Sequence, residues 1–446
     1  MRVAVVGGGV AGLAAALDLS EAGADVVVLE GSPRVGGKLL LGTVGDVEVD
    51  LGAEAMLARR PEGVDLARRV GLSEQLTHPE TLTAAIWTHG GLRPMPPTVL
   101  GVPSDLDALD ASGIVTERPQ AHAEPVPGHD LSVAEFLTPR VGREVVDRLV
   151  EPLLGGVYAG HADRLSLQAA APQIVALGPD PLSGAARSRE TPTATGPVFA
   201  GLVGGMGRLP GAIVDAGRFT VRTDAVVRAV ERTGDGWTLH HGPTVDVTTE
   251  HVDAVVLATP APATARLLGD VAPEAAFALA DVEYASMAVI TLLLDGPVHA
   301  DVSGFLVPPV DGTAIKGATF SSRKWGWLAH RVGAGRSVVR ASIGRAGETG
   351  MLLGPDTDLV EAATSDLRAA LGGLAPVLDS HVQRWGGALP QYDVGHRDLV
   401  ERVHLALTEV QGLEVCGAAY EGVGIPAVVA SGQAAARRVL AGSGLG

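Results

Sequence analysis

The 446-residue chain has one cysteine, few aromatic residues and more acids than bases, and each scarcity excludes a class of protein. Because Cys416 stands alone, the chain cannot form an intramolecular disulfide or a site built on paired cysteines, and it fits a reducing compartment. The 34 bases face 51 acids, and the net charge of −17 argues against binding to nucleic acid. Aromatic residues make up only 3%, which leaves little material for an aromatic cage.

A long hydrophobic run is also missing. The longest run, residues 285–294, is far shorter than the roughly 18 residues that span a membrane. We therefore predict a cytoplasmic protein and leave peripheral contact with a membrane surface open. With 46% hydrophobic residues the chain can build a large core, and its length exceeds that of one ordinary domain.

The first thirty residues carry the pattern of a βαβ unit. Residues 2–6 are an apolar run, rich in valine, that ends in three glycines, which is typical of a buried parallel strand. Residues 11–22 are rich in Ala and Leu at helical spacing, and residues 25–30 contain a second apolar run. This order predicts an α/β fold that begins with a Rossmann-like unit.

Three glycines at the predicted strand-to-helix turn indicate a dinucleotide site. In this G-x-G-x-x-G pattern the first glycine permits the tight turn, the second lets backbone approach a pyrophosphate, and the third lets helix pack on strand. The helix N-terminus adds amide donors, and an acid after the second strand accepts hydrogen bonds from ribose hydroxyls. Glycines that serve only the turn are the alternative. The residues assigned to the dinucleotide are Gly7, Gly9, Val10, Ala11, Gly12 and Glu30.

A second glycine turn favours a flavin over a nicotinamide cofactor. Residues 34–38 read RVGGK and residues 50–54 read DLGAE. The first run resembles the extended FAD motif of the amine oxidase, phytoene desaturase and protoporphyrinogen oxidase superfamily, although Lys38 stands where arginine is usual. The resemblance implies FAD as the cofactor, in contact with Arg34, Gly36, Gly37, Lys38, Gly52, Ala53 and Glu54.

Later segments follow the order of that superfamily's motifs. Residues 204–210 resemble its GGMG-x-LP loop, and a strand thereafter usually gives a backbone contact to adenine. Residues 417–424, before a predicted helix from about residue 427, resemble its last element, a helix N-terminus aimed at the pyrimidine end of the flavin. For each segment alone, an ordinary glycine turn is the alternative. The resemblance adds Val227, Ala258, Trp385, Gly417, Val423, Gly424 and Ile425 to the FAD contacts.

Further stretches narrow the resemblance to one family. Residues 131–137, 149–160 and 319–325 are similar to segments of bacterial porphyrinogen oxidases. Residues 384–396, RWGGALPQYDVGH, resemble that family's RWPxAxPQYxVGH signature, with Gly386 in place of proline. By these motifs the chain is identified as a member of the protoporphyrinogen and coproporphyrinogen oxidase family of haem synthesis, with the coproporphyrinogen III type favoured.

The resemblance implies oxidation of a porphyrinogen to a porphyrin. Six electrons leave in three two-electron steps, each passing a hydride to FAD, and O2 is reduced to H2O2. Protoporphyrinogen IX is the alternative substrate. An amine oxidase is a further alternative, but that branch typically carries a lysine in the strand equivalent to residues 284–294, where this chain has none. A carotenoid desaturase and a flavin- or porphyrin-binding protein without turnover are the remaining alternatives.

The carboxylates of a porphyrinogen require a local cation on this acidic protein. Family members carry a basic residue near Arg59 and Arg60 that holds a propionate, and a solvated helix start is the alternative for both arginines. Tyr158 is a candidate for packing on the macrocycle, with a core position as its alternative, and Tyr392 and Tyr420 share this ambiguity. We predict no catalytic side chain and no metal site.

The resemblance also implies the domain organisation. A Rossmann-like FAD-binding domain of the amine oxidase/p-hydroxybenzoate hydroxylase type is built from residues 1–75, 196–268, which include a β-meander, and 386–446. Residues 76–195 form a helical lobe that faces substrate or membrane, and residues 269–385 form a mixed-sheet substrate domain. Within the lobe, a capping box starts a helix at Ser132, helical structure over 137–176 breaks at Gly155-Gly156, and residues 119–130 and 184–197 are loops.

Overall fold

The computed structural model describes residues 1–190 and 196–442. Its strands form a parallel sheet, a larger mixed sheet and several small antiparallel sheets. The strands are β1 Arg2–Val6, β2 Asp25–Leu29, β3 Leu41–Val44, β4 Val47–Asp50, β5 Met56–Leu57, β6 Leu76–Thr77, β7 Ala85–Thr88, β8 Gly91–Pro94, β9 Thr98–Val99, β10 Val102–Pro103, β11 Phe199–Leu202, β12 Thr220–Arg222, β13 Val227–Thr233, β14 Gly236–His241, β15 Thr248–Val252, β16 Ala254–Leu257, β17 Tyr284–Leu294, β18 Gly304–Leu306, β19 Ile315–Thr319, β20 Ser337–Ile343, β21 Val377–Pro390 and β22 Leu413–Val415.

Helices cover the sheets and build a separate cluster between β10 and β11. A π-helical turn, Val146–Val150, joins the fifth helix to the sixth. The α-helices are α1 Val10–Glu21, α2 Pro61–Arg69, α3 Leu106–Ser112, α4 Val133–Val141, α5 Arg143–Val145, α6 Glu151–Tyr158, α7 Leu167–Ala170, α8 Pro172–Val175, α9 Pro181–Glu190, α10 Leu209–Ala216, α11 Ala261–Leu268, α12 Pro273–Ala280, α13 Ser321–Lys324, α14 Gly326–Val332, α15 Asp356–Leu371, α16 His396–Thr408 and α17 Ile425–Gly442.

The parallel sheet has the strand order β12-β2-β1-β16-β22 and confirms the predicted βαβ unit. Helix α1 packs closely on the sheet, and α17 packs closely on α1, because glycines remove side chains at the contacts. A Cβ on Gly12 would lie 2.0 Å from the Gly7 carbonyl oxygen, and one on Gly432 would lie 2.1 Å from that of Ala11. The sequence thereby packs α1 on β1 and α17 on α1, which brings two helix N-termini to the cavity described below.

The predicted β-meander is confirmed as the antiparallel sheet β13-β14-β15, which leads into β16. Its last strand begins at Thr248, although the alternation of apolar and polar residues over 245–249 is itself typical of a strand. Residues 243–247 form a turn instead, and the side chain of Val245 is 97% exposed. The apolar residues of this stretch have no core to pack against, and the stretch therefore does not form a strand.

The mixed sheet has the order β21-β17-β20-β19-β18-β7-β8, in which only β18 and β7 pair in parallel among the described strands. Two of its strands, β7 and β8, come from the segment that we assigned to the helical lobe. Strand β21 crosses our boundary at residue 385. The sheet thus gathers chain from three of the five predicted segments, and the division of the chain into domains stays a prediction.

The first helix of the lobe after residue 130 begins where the sequence predicts, but the predicted break in the helical structure is not found. The Ser132 hydroxyl accepts from the Glu135 amide at 3.1 Å, and the Glu135 carboxylate accepts from the Ser132 amide at 2.9 Å, which confirms the capping box. The predicted break at Gly155-Gly156 is wrong, because α6 runs through both glycines. Buried side chains of α6, such as Leu154, pack it into the lobe, and this tertiary packing outweighs the low helix propensity of glycine.

The predicted loop over residues 184–197 is wrong in its first half. Helix α9 continues to Glu190, and residues 191–195 lie outside the described residues. Asp180 begins this helix by accepting a hydrogen bond from the Ser183 amide at 3.1 Å. Residues 119–130 contain no helix or strand, as predicted. Of the helices that the structure describes, none combines the length and the apolar character needed to cross a membrane.

Candidate functional site

A cavity of about 930 Å3 is lined by both large sheets and by the N-termini of α1 and α17. Its wall contains all but two of the residues assigned to FAD from the sequence, the exceptions being Gly12 and Arg34. Segments that are hundreds of residues apart in the chain therefore meet around one space, in the arrangement that the order of motifs indicated.

The first glycine turn forms an open cradle on this wall. Gly9 is the N-cap residue of α1, and no side chain caps the first-turn amides of the helix. A Cβ on Gly9 would have no protein atom within 4 Å, whereas one on Gly7 would lie 2.9 Å from the Ala258 carbonyl oxygen. Uncapped amides beside open space fit a phosphate at a helix N-terminus.

The two exceptions support the turn from behind it. Gly12 is in contact with Gly7 through the close approach of α1 to β1. Arg34 donates from Nη2 to the Gly37 carbonyl at 2.8 Å and from Nη1 to the Val35 carbonyl at 3.2 Å. Its guanidinium thus braces the RxGG turn and does not line the cavity, so the structure does not support the predicted FAD contact for either residue.

Glu30 is held in place by the turns on each side of it. Its carboxylate accepts from the Gly8 amide at 2.6 Å and from the Ser32 amide at 2.8 Å. The side chain lines the cavity. Because each carboxylate oxygen can accept more than one hydrogen bond, Glu30 keeps capacity for ribose hydroxyls.

Lys38 supplies a cation that fits a negatively charged cofactor. It lines the cavity next to Gly37, and among the described residues its ammonium has no ion-pair partner. Burial lowers the pKa of Lys38 from its ordinary value, which an adjacent anion would offset. An unpaired ammonium and uncapped helix amides on the wall of one cavity are donors that suit the phosphates of a dinucleotide.

Glu54 forms a charged cluster with two cations that the sequence did not reveal as its partners. Its carboxylate lies 2.7 Å from Lys324 Nζ and 2.9 Å from Arg340 Nη1, and it accepts from the Ser321 hydroxyl at 3.0 Å. Burial alone would raise the pKa of Glu54, but the two cations outweigh it and lower the pKa to about 2. Glu54 and Arg340 both line the cavity, and this three-residue cluster carries a net positive charge.

Asp50 explains the GGMG loop. Its carboxylate accepts from the Met206 and Gly207 amides, each at 2.9 Å, and so fixes the loop that starts α10. A Cβ on Gly205 would lie 2.9 Å from an Asp50 oxygen, so the glycine makes room for this contact. Burial raises the pKa of Asp50 to about 6, although both amide hydrogen bonds act in the opposite direction.

This raised pKa predicts a pH-dependent loss of stability that Asp50→Asn removes. Because the folded-state pKa of about 6 exceeds the ordinary 3.8, the carboxyl group contributes its full stability below pH 4 and loses it as the pH rises through 6. Relative to Asp50→Asn, we expect the wild-type free energy of unfolding to fall by ~2 kcal/mol between pH 4.5 and 7. Urea unfolding at both pH values measures this difference, and a difference that does not change with pH would contradict it.

The structure does not bring the predicted substrate residues to this cavity. Arg60 is the N-cap residue of α2 and pairs with Glu62 at 2.7 Å, which is the solvated helix start that was the alternative. Arg59 lines a second cavity of about 470 Å3, together with Arg68. Tyr158 is buried in the helical lobe behind the cavity wall, where its hydroxyl contacts the Ala170 carbonyl at 3.5 Å.

The stretch of wall contributed by α6 and the mixed sheet is mostly apolar. Sequence analysis missed most of it because isolated apolar residues on strands carry no motif. Lys316, one of only three lysines in the chain, could have been noticed. It is buried next to the lining residue Gly317 and does not itself line the cavity. Its Nζ lies 3.9 Å from Met287 Sδ, and burial, followed by the charge of Arg345, lowers its pKa to about 7. This part of the wall includes Gly156, Val157, Met287, Val289, Phe305, Leu306, Ala388 and Leu389.

Cys416 lies next to the cavity-lining Gly417 but does not line the cavity itself. The thiol is fully buried, and burial raises its pKa to about 12, so it stays protonated. Within residues 1–190 and 196–442, no cluster of His, Cys, Asp and Glu has the arrangement of a metal site.

Comparisons with known proteins agree with the motifs. The family described as "Flavin containing amine oxidoreductase" matches residues 10–440. A coproporphyrinogen III oxidase of Mycobacterium leprae is 38% identical over 96% of this chain and 95% of its own, and one of Bacillus subtilis is 28% identical over 97% of each. A solved structure from Exiguobacterium, named "Putative protoporphyrinogen oxidase", superposes with a TM-score of 0.86 at 30% identity and covers 98% of both chains.

The chain therefore belongs to the flavin-containing amine oxidoreductase family. Its cofactor is FAD, and it is an FAD-dependent oxidase, as the sequence predicted. Within this family, relatives that are 36–38% identical over 96% of this chain are named coproporphyrinogen III oxidase. The predicted resemblance to porphyrinogen oxidases is thereby confirmed.

Proposed function

We propose that this protein oxidises coproporphyrinogen III to coproporphyrin III with O2. The balanced reaction removes six electrons and six protons and reduces three O2 to three H2O2. The observation that carries this proposal is the near-full-length similarity to coproporphyrinogen III oxidases at up to 38% identity.

In the proposed site, the chain's own residues bind and orient. FAD, when bound, supplies the hydride acceptor and its own reoxidation by O2. The uncapped amides of α1 and the Lys38 ammonium would hold its phosphates, and the Glu30 carboxylate would accept from its ribose. The open backbone at Gly9 permits close approach there.

Apolar side chains would hold the macrocycle against the flavin. Val157, Phe305 and Leu306 lie on the same cavity as the glycine turns, so one continuous space is available to cofactor and substrate. The net positive charge of the Glu54 cluster and the cation of Arg266, also on the wall, favour a substrate with carboxylates.

Protoporphyrinogen IX is the second candidate substrate. It has vinyl groups where coproporphyrinogen III has two of its propionates, and the apolar stretch of wall around Leu306 suits vinyls. A chloroplastic protoporphyrinogen oxidase of rice, Oryza sativa subsp. japonica, is 29% identical over 90% of this chain and 81% of its own.

Aerobic turnover with each porphyrinogen separately distinguishes the two substrates. We expect faster formation of fluorescent porphyrin from coproporphyrinogen III, with three H2O2 released for each porphyrin. A faster reaction with protoporphyrinogen IX would replace the proposed substrate by the second candidate. Fluorescence no higher than that of the air-oxidation blank with both substrates would overturn the proposed activity, and amines would be tested next.

A further inference from the structure

Two side chains of the 384–396 stretch lie behind the last flavin motif and not on the cavity wall. Tyr392 is 1% exposed and His396 is 4% exposed. Their rings stack with centroids 3.9 Å apart and an angle of 15° between the planes. The loop of residues 417–424 separates them from the cavity, since its residues Gly417, Ala418, Ala419, Val423 and Gly424 line the wall.

The Tyr392 hydroxyl bridges two points of this loop. It donates to the Ala418 carbonyl at 2.7 Å and accepts from the Gly422 amide at 2.7 Å. A hydroxyl has one hydrogen to donate, so its donor is fully used on the loop. Burial raises the pKa of Tyr392 far above its ordinary value, and the group therefore remains a neutral hydroxyl.

His396 holds the next carbonyl of the same loop. Its Nε2 lies 2.9 Å from the Ala419 carbonyl oxygen, and because a carbonyl only accepts, Nε2 carries the hydrogen. Burial lowers the pKa of His396 to about 4, so the ring is neutral at pH 7 and donates from Nε2 alone. Two adjacent carbonyls, of Ala418 and Ala419, are thus fixed by neighbouring rings.

We propose that Tyr392 and His396 are positioning residues for FAD, acting through the backbone of residues 418–422. Because they fix that backbone before FAD binds, less conformational entropy is lost on binding. They also hold the N-terminus of α17 in its place on the cavity wall. This inference rests on the FAD site of the proposed function. It assigns Tyr392 and His396 of the PQYxVGH stretch to cofactor binding and removes the alternative that Tyr392 packs on the macrocycle.

Tyr392→Phe tests the hydroxyl with the smallest possible change. We expect the Kd for FAD, titrated into apoprotein without substrate, to rise about 10-fold, because two hydrogen bonds of the loop are lost. The visible circular dichroism of the bound flavin is expected to change as well. The matched control is Tyr158→Phe. Tyr158 is also buried, and the centroid of its ring lies 5.4 Å from that of Tyr392, but its hydroxyl contacts the Ala170 carbonyl at 3.5 Å, away from the loop. It should leave the Kd unchanged.

His396 gives a second test that keeps the inference falsifiable if Tyr392→Phe folds poorly. His396→Leu removes the donor and should raise the Kd for FAD, whereas His396→Gln retains an N–H donor and should restore part of the affinity. Wild-type affinity and an unaltered flavin spectrum in both Tyr392→Phe and His396→Leu would overturn the inference. Since no porphyrinogen is used, this result is independent of whether the wild-type protein turns over either substrate.

Discussion

Replacing Gly9 with alanine should weaken FAD binding by about 100-fold and leave the apoprotein as stable as the wild type. The added methyl group would meet no protein atom within 4 Å, so folding has no reason to suffer. It would instead project into the space beside the uncapped amides of α1. There the pyrophosphate of the cofactor must approach the protein backbone most closely. Titration of apoprotein with FAD, together with urea unfolding of the apoprotein, measures both effects.

The matched control for this change is Gly211→Ala. Gly211 lies in α10, a Cβ there also has no atom within 4 Å, and the residue does not line the cavity. We expect unchanged FAD affinity for this variant and slightly higher stability, since alanine favours a helix. If Gly9→Ala bound FAD as tightly as Gly211→Ala, the glycine turn would not be the pyrophosphate site.

Replacing Glu54 with glutamine should destabilise the protein by roughly 3 kcal/mol. Glutamine has the shape of glutamate but not its charge, so Lys324 and Arg340 would remain near each other, largely buried and without their counter-ion. Because the native carboxyl group has a pKa of about 2, its contribution is fully present above pH 4.5 and is lost only as the pH falls towards 2. Urea unfolding of the apoprotein at pH 7 measures the loss.

Glu48→Gln is the control for this prediction. Glu48 pairs with Arg331 at 3.0 Å, but both side chains are more than 40% exposed, and water screens the pair. The expected loss for this control is less than ~1 kcal/mol. Equal losses in the two variants would show that the Glu54 cluster is no more than a surface ion pair.

The sequence alone determined the parts of this protein that depend on backbone shape. Glycines at 7 and 12 predict a tight turn and a close approach of helix to strand, and the structure has both contacts. At Gly9 the structure has open space next to the cavity, which is what the predicted approach of a pyrophosphate requires. The capping box at Ser132 could likewise be predicted, because it is formed within four consecutive residues. Structural features that depend only on residues close together in the chain can be predicted from the sequence.

Tertiary structure alone decided which distant side chains became partners. Glu54 pairs with residues 270 and 286 positions away, and no local pattern links them. Packing in the helical lobe carried α6 through two glycines that favour a break. These features depend on contacts between residues that are distant in the chain. Burial of side chains and neutralisation of charge at such contacts outweigh local helix propensity.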